Sequence, residues 1–448
     1  MKKTILFLSV TLVCFVSLRA QKIKYESSFK TAKNLALEQQ RPLAVLITIQ
    51  PPVPTPNFMN GLNDGAVIDK FNNSFINYKA EREDTAASRQ IISEYKIYRF
   101  PSFIFLDAKG GLMFTDVAFL SRPQPLLDMA NKAIAATKEK SLVDYDSAYI
   151  RGSNSTAFLK AYILRRESAG INNNADLIEK YVSGLTVHDL NNYAEVLFIL
   201  KAGPIADSNA YKLSHTNKAL IDSIFKTEPL ADRLAINNST IANTLNNAIA
   251  NKNIARASVA ANFTRDSWAN NYVEGQKNWY LKMLQYYRGV KDTINYLQMA
   301  STFYDHYYMR ISIDSIRKRD SLNFEIPKNK ARENAKLSSN DTAIRRTYSF
   351  AFPKDSFAID LNNAAWSFYQ TAGSNNDYLL KAMLWSKRSI ELSPKSTFYD
   401  TYAHLLYKLK FYDEAESMQR KAVESGRAEK TDTKIFQREY EKIKKRSL

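Results

Sequence analysis

Two rhythms of apolar residues divide this chain. From residue 22 to about 140, solid apolar runs alternate with helical spacing; beyond about 141 only helical spacing continues. Leu43-Ala44-Val45-Leu46-Ile47-Thr48-Ile49 is a continuous run, the pattern of a central strand covered on both faces. Before it, Phe29, Ala32, Leu35 and Ala36 share one helical face, capped by Ser27 or Ser28 and stopped by Pro42. Phe75, Ile76 and Tyr78 mark a strand over 73–79, and 85–95 reads as a helix capped by Asp84 or Thr85. Ser102 to Leu106 forms a short buried strand; Asp107-Ala108-Lys109-Gly110-Gly111 turns it into a hairpin with 112–119, and 123 to about 136 closes as a helix. Pro101 removes a ladder donor at the start of its strand, so it marks an edge, a bulge or a cis bond. This alternation predicts an α/β domain over 21–140.

Past residue 141 glycine and proline become sparse. Helical spacing over 144–166, 175–185, 189–202, 216–225 and 232–250, joined by short polar links, predicts antiparallel helix pairs. Trp268, Tyr272, Trp279, Leu281, Leu284, Tyr287, Tyr296, Met299, Phe303 and Tyr307 follow at spacings near three, four and seven. Such a stripe reads first as helical core; lining a glycan or ligand groove is the alternative. Residues 313–356 are charged and polar, a helix end and a long link, which sets a helical-hairpin region over 141–356 apart from 357–448.

The extreme N-terminus changes the picture. Met1-Lys2-Lys3-Thr4, an apolar run from Ile5 to Leu18, and Arg19-Ala20-Gln21 have the form of a signal peptide, residues 1–20, cleaved after Ala20. The run is shorter than the roughly 20 residues that span a bilayer, and no later stretch is long and apolar enough. The expectation is a periplasmic or secreted bacterial protein with no transmembrane segment. Cys14, the only cysteine, lies in the leader behind Val13, not behind the small residue that lipidation requires. The formal charge of +18 is scattered, with one dense run at Glu441-Lys442-Ile443-Lys444-Lys445-Arg446. That run is either a solvated helical tail or a contact for an acidic surface such as lipid or glycan phosphate. Export argues against nucleic acid as a partner. With 448 residues, 45% of them hydrophobic, the chain can build two or three packed cores.

The stretch Phe100-Pro101-Ser102-Phe103-Ile104-Phe105-Leu106-Asp107-Ala108-Lys109-Gly110-Gly111 resembles the cis-proline strand and following turn of the thioredoxin superfamily. The expected βαβαββα order extends the resemblance over about 110 residues. In that family the proline faces a Cys-x-x-Cys that follows the central strand. Here the strand leads into Gln50-Pro51-Pro52-Val53-Pro54-Thr55-Pro56-Asn57-Phe58-Met59; aligning Met59 with the family's apolar position puts Val53 and Pro56 where the two cysteines stand. The resemblance therefore implies the fold without dithiol chemistry. Pro56 can still open the next helix, while the proline run also reads as a stiff connector with no ligand. The resemblance further implies a groove near Pro56, Phe58, Phe100 and Pro101 where an extended peptide adds to the backbone. Phe58 and Phe100 read first as core.

A second resemblance lies toward the C-terminus. Leu361, Ala364, Ala365, Trp366, Tyr369, Ala382, Leu392 and Pro394, interrupted by a loop at 373–377, are similar to one tetratricopeptide repeat. Tyr399, Tyr402, Ala403, Tyr412, Ala415 and Ala422 fall on the same family's spacing more cleanly. Ala382 and Ala415 are 33 residues apart, near the family's period of about 34. Two repeats rarely suffice, so the preceding helix pairs are expected to extend the stack.

Local catalytic signatures are missing from the sequence. His188, His215, His306 and His404 are far apart and lack metal-ligand spacing; His404, beside Ala403, reads as structural. Gly110-Gly111 is a turn and not a phosphate loop. Pairs such as Glu414/Glu416 and Asp360/Asp377 are what helices supply by chance, so they receive no catalytic role. No metal or cofactor is expected. The resulting fold class is α/β plus all-α, thioredoxin-like and then tetratricopeptide-like. The functional expectation is an exported, non-catalytic protein-interaction or chaperone-like adaptor with a protein or peptide partner. Its alternatives are an envelope ligand-binding protein for glycan or peptide nutrients, and a degenerate thioredoxin-family oxidoreductase that borrows a partner's thiol.

Overall fold

The computed structural model describes residues 22–49, 58–82, 86–268, 270–319, 321 and 355–448. Residues 1–20, the expected signal peptide, together with Val53, Pro56, Asp84, Thr85 and most of the 313–356 link lie outside them. Two compact units make up the chain, Met1–Asn172 and Asn173–Leu448.

In the first unit, the Ser28 hydroxyl accepts the Thr31 amide at 3.0 Å and starts α1 (Phe29–Glu38). Gln40, at φ 52°, turns the chain into β1 (Leu43–Thr48), whose six residues are all buried. A 3₁₀ turn (Asn60–Asn63) then precedes α2 (Gly65–Ser74). The sequence reading opened this helix at Pro56 and began the next strand at residue 73. Instead Asp64 caps α2 through the Val67 amide, and Val67, Ile68 and Phe71 bury its inner face. Asn73 and Ser74 complete that helix, so β2 runs Ile76–Glu81. The unit continues with α3 (Ala86–Glu94), β3 (Ser102–Leu106), β4 (Leu112–Val117) and α4 (Pro123–Ala136).

The four strands form one mixed sheet in the order β2-β1-β3-β4, with β1 and β2 parallel and the other pairs antiparallel. Side chains alternate across it with period two. Ala44, Leu46, Phe103 and Phe105 pack with residues of α2 and α4, whereas Val45, Ile47, Ile104 and Leu106 pack with residues of α1 and α3. In the β3–β4 turn, Asp107 Oδ1 accepts the amides of Lys109 and Gly111, both at 2.9 Å. A Cβ on Gly111 would lie 2.6 Å from Asp107 Oδ2, so any other residue there would have to displace the carboxylate that holds the turn.

Two further helices belong to this unit, α5 (Leu142–Ile150) and α6 (Thr156–Ser168). The sequence reading joined them over 144–166. Gly152, at φ 98°, breaks the run, and Ser155 restarts it by accepting the Phe158 amide. The buried Arg165 ties α6 to the sheet, donating to the carbonyls of Lys140 and Leu112 and pairing with Glu139 at 3.3 Å.

The second unit, as described, is helical throughout. Its helices are α7 (Ala175–Ser183), α8 (Tyr193–Lys201), α9 (Asn209–Ser214), α10 (Lys218–Thr227), α11 (Leu230–Ala250), α12 (Ile254–Asp266), α13 (Tyr272–Gly289) and α14 (Thr293–Tyr304). A π-helical turn (Asp305–Met309) and α15 (313–319) follow, and then α16 (Ser356–Thr371), α17 (Asn376–Leu392), α18 (Ser396–Lys408), α19 (Tyr412–Ala428) and α20 (Lys434–Lys444). The turns follow a local rule. Lys252 and Lys291 adopt positive φ, and the residue that caps the next helix, Asn253 or Asp292, comes directly or almost directly after. Consecutive helices pack most closely. Alanines sit where they cross, with Ala260, Ala300, Ala365, Ala382, Ala403 and Ala415 all fully buried.

The aromatic stripe divides. Leu284, Tyr287, Tyr296 and Phe303 are core, and Trp279, Met299 and Tyr307 pack against it. Trp268, in the turn before α13, is exposed; Tyr272, 74% accessible, and Leu281 are exposed because the buried face of α13 runs through Met283, Leu284, Tyr286 and Tyr287 instead.

Candidate functional site

Strand register assembles one end of the sheet. Thr48 pairs with Glu81, Ile47 with Ser102, and Ser102 with Val117. The C-terminal ends of β1, β2 and β4 therefore meet the start of β3. Ligands of open α/β sheets bind beyond the carboxyl ends of strands, so this end is where a site is expected.

The Phe100–Pro101 peptide is cis. Pro101 is buried, and its carbonyl accepts the Ala118 amide at 2.8 Å. The Arg99 carbonyl accepts the Ser102 hydroxyl at 2.6 Å. Between them, the Phe100 N–H and carbonyl have no hydrogen-bond partner among the described residues. Phe100 leans on the cluster shared with α1 and α3, and the Arg82 guanidinium lies 5.1 Å from its ring centroid. Phe58 leans on the other cluster, the one shared with α2 and α4. The Gly61 amide of the turn after it donates to Leu120 at 2.8 Å. The two phenylalanines thus belong to cores on opposite faces of the sheet, while Val53 and Pro56 lie outside the described residues. Phe100 is half-buried, and the ring of Tyr98 beside it is 83% exposed.

Sequence reasoning missed the neighbouring cleft of about 530 Å³, lined by Arg82, Arg89, Lys96 and Tyr98 together with Ile92 and Ile97. No carboxylate pairs with its three cations among the described residues. Their spacing of seven residues was the available signal, but it crosses from the end of β2 through α3 to the left-handed Lys96, so neither a helical nor a strand period exposes it.

The remaining sequence candidates are dispersed. His404 is buried, with Nδ1 2.8 Å from the Asp400 carbonyl and its ring edge-on to Trp366 and Tyr369. Asp377 is exposed in the first turn of α17, whereas Asp360 opens onto a separate cavity beside α13 and α14. Glu416 accepts the Tyr440 hydroxyl, and Glu414 is exposed. Among the described residues no group of three or more His, Cys, Asp or Glu side chains is arranged to hold a metal ion, and no helix is long and apolar enough to cross a membrane. No protein-family model matches the sequence, and no curated protein shows significant similarity to it.

Proposed function

We propose that this chain is an exported, non-catalytic binding protein that takes an extended polypeptide at the sheet end beside Phe100. The observation that carries the reading is the Phe100 N–H and carbonyl, which have no hydrogen-bond partner among the described residues, next to the exposed Tyr98. A backbone donor and acceptor side by side are what an added strand pairs with. The thioredoxin-like assignment is supported by the strand order, the helices on both sheet faces and a cis-proline leading β3. The absence of dithiol exchange is supported by the sequence, where Cys14 is the single thiol. Reading α16 to α19 as two tetratricopeptide-like hairpins is supported by the fully buried Ala365, Ala382, Ala403 and Ala415 at their crossings. Export rests on the form of residues 1–20, and an adaptor role joins a peptide site to a helical stack.

Phe58 and Phe100 help to hold two cores, so the exposed Tyr98 is the better probe. The protein lacking residues 1–20, immobilised through its C-terminus, is screened for capture from a library of extended peptides. The expected result is capture of a peptide subset that Tyr98→Ala weakens without changing the melting temperature. Equal capture by both proteins would remove the site from this end of the sheet, and turnover in an insulin-reduction assay would remove the non-catalytic part.

A further inference from the structure

The helical unit contains a cavity of about 700 Å³ that the peptide site does not use. It lies where the end of α13, the following turn and α14 face α16. Its walls are the rings of Tyr287, Tyr296, Tyr304 and Trp366. Tyr296 is fixed in place: its hydroxyl receives a hydrogen bond from Arg288 at 2.7 Å and lies 3.0 Å from the Ser367 hydroxyl. Other polar groups on the lining are unspent. Asp360 Oδ2 accepts the Tyr308 hydroxyl at 3.1 Å, but Oδ1 has no partner among the described residues. The Tyr304 hydroxyl and the side-chain amides of Asn363 and Gln370 likewise have none.

We infer that this cavity binds a neutral saccharide of one or two rings. A pyranose presents apolar C–H faces that lie against aromatic rings, and hydroxyls that both donate and accept. The cavity offers both surfaces, and its volume falls in the range of small-ligand sites. Its charges select no ion. Arg288 and Lys291 balance Asp360 and Asp292, and the Asp292 carboxylate is already engaged by the amide and side chain of Asn295. An apolar peptide side chain would strip water from Asp360 and Tyr304 and return no hydrogen bond. A lysine or arginine side chain reaching Asp360 would meet Arg288 and Lys291 on the same lining. Partial desolvation holds the Asp360 carboxyl above its ordinary range, against the Tyr308 hydrogen bond and the Lys277 charge, which suits a group that exchanges hydrogen bonds with hydroxyls.

The test titrates the protein with glucose, N-acetylglucosamine, maltose and cellobiose, reading heat and tryptophan fluorescence. At least one sugar should bind with millimolar or better affinity. The double variant Asn363→Ala, Gln370→Ala alters only exposed positions on α16; it should weaken that sugar by about tenfold or more at an unchanged melting temperature. Asp360→Asn should weaken it as well, and Arg89→Ala, in the other unit, should not. The inference is overturned if none of the four sugars binds at tens of millimolar, or if the bound sugar is indifferent to the α16 variants. Binding of a lysine-rich peptide in their place, lost in the same variants, would overturn it in favour of a cationic ligand. The site does not depend on the peptide reading, whose failure at Tyr98 would leave these titrations unchanged.

Discussion

The two units bury their aromatic residues in contrasting ways. In the sheet unit, Phe71, Phe75, Phe103, Phe105 and Phe114 come from three elements and a helix end, and they meet in one cluster centred on β3. In the helical unit the ring pairs are distributed along the chain, some within one helix and others between helices, as Phe303 with Tyr280 and Phe368 with Tyr378 and Trp385, while alanines close the crossings. The first arrangement concentrates stability at a point reached by long-range register; the second spreads it along the chain. A single substitution should therefore be global in one unit and local in the other. Phe105→Ala gives the largest expected effect. This fully buried ring has centroids of Phe114, Phe75 and Phe103 within 5.0, 5.4 and 5.5 Å. Its loss should cost about 3–5 kcal/mol, a large part of a typical domain's stability. Denaturant unfolding should show the sheet unit melting early with the helical transition unmoved; a common shift of both would break the contrast.

Ala403→Leu is the counterpart in the helical unit. Ala403 is fully buried in a cluster with Leu406, Ala415 and Ile443, so a larger side chain must push α18 and α19 apart. The expected cost is about 1–3 kcal/mol. Hydrogen exchange should rise in α18, α19 and α20 and stay low in α12 and α13. Uniform loss of protection along the unit would show that its stability is not local.

The same contrast explains what could be read in advance. Local signals gave α4 its observed span, because Pro123 fits the first helical turn, and gave β1, because an uninterrupted apolar run has few alternatives. The start of α2 at Asp64 depends on the burial of Val67, Ile68 and Phe71, which lies beyond local spacing. Helical spacing continues across Gly152, so the break between α5 and α6 was hidden. The separation of Phe58 from Phe100 follows from the face of the sheet each one covers, which spacing along the chain does not record. Asp360 was set aside as an incidental carboxylate; its place in a cavity depends on α13 and α14, more than fifty residues earlier in the chain.

The smallest effects sharpen the picture within one cluster of the helical unit, where two carboxylates flank His404. Glu439 Oε2 lies 3.7 Å from Nε2, and Asp400 Oδ2 lies 3.8 Å from Nδ1. Their titrations are shifted in opposite directions. Burial would raise Glu439, but hydrogen bonds from Lys442 and Arg438 outweigh it and hold the carboxyl below its ordinary value of 4.5. Its stabilising contribution is present above that pH and is lost as pH falls through the lowered value. Glu439→Gln should thus cost about 1 kcal/mol at neutral pH, modest because its cationic partners are partly exposed, and the difference from wild type should vanish in acid. Burial dominates at Asp400 and raises it above 3.8, despite the His404 ring and the hydrogen bond from Gln419 at 2.7 Å. Its contribution is full below 3.8 and is lost as pH rises through the raised value. Asp400→Asn keeps an oxygen for Gln419 and removes that loss, so it should be equal to or slightly more stable than wild type at neutral pH, by a few tenths of a kcal/mol at most. Melting temperatures followed from pH 4 to pH 8 should therefore depart from wild type in opposite directions as pH rises. Parallel curves for the two variants would mean that the carboxylates act as one charge on His404.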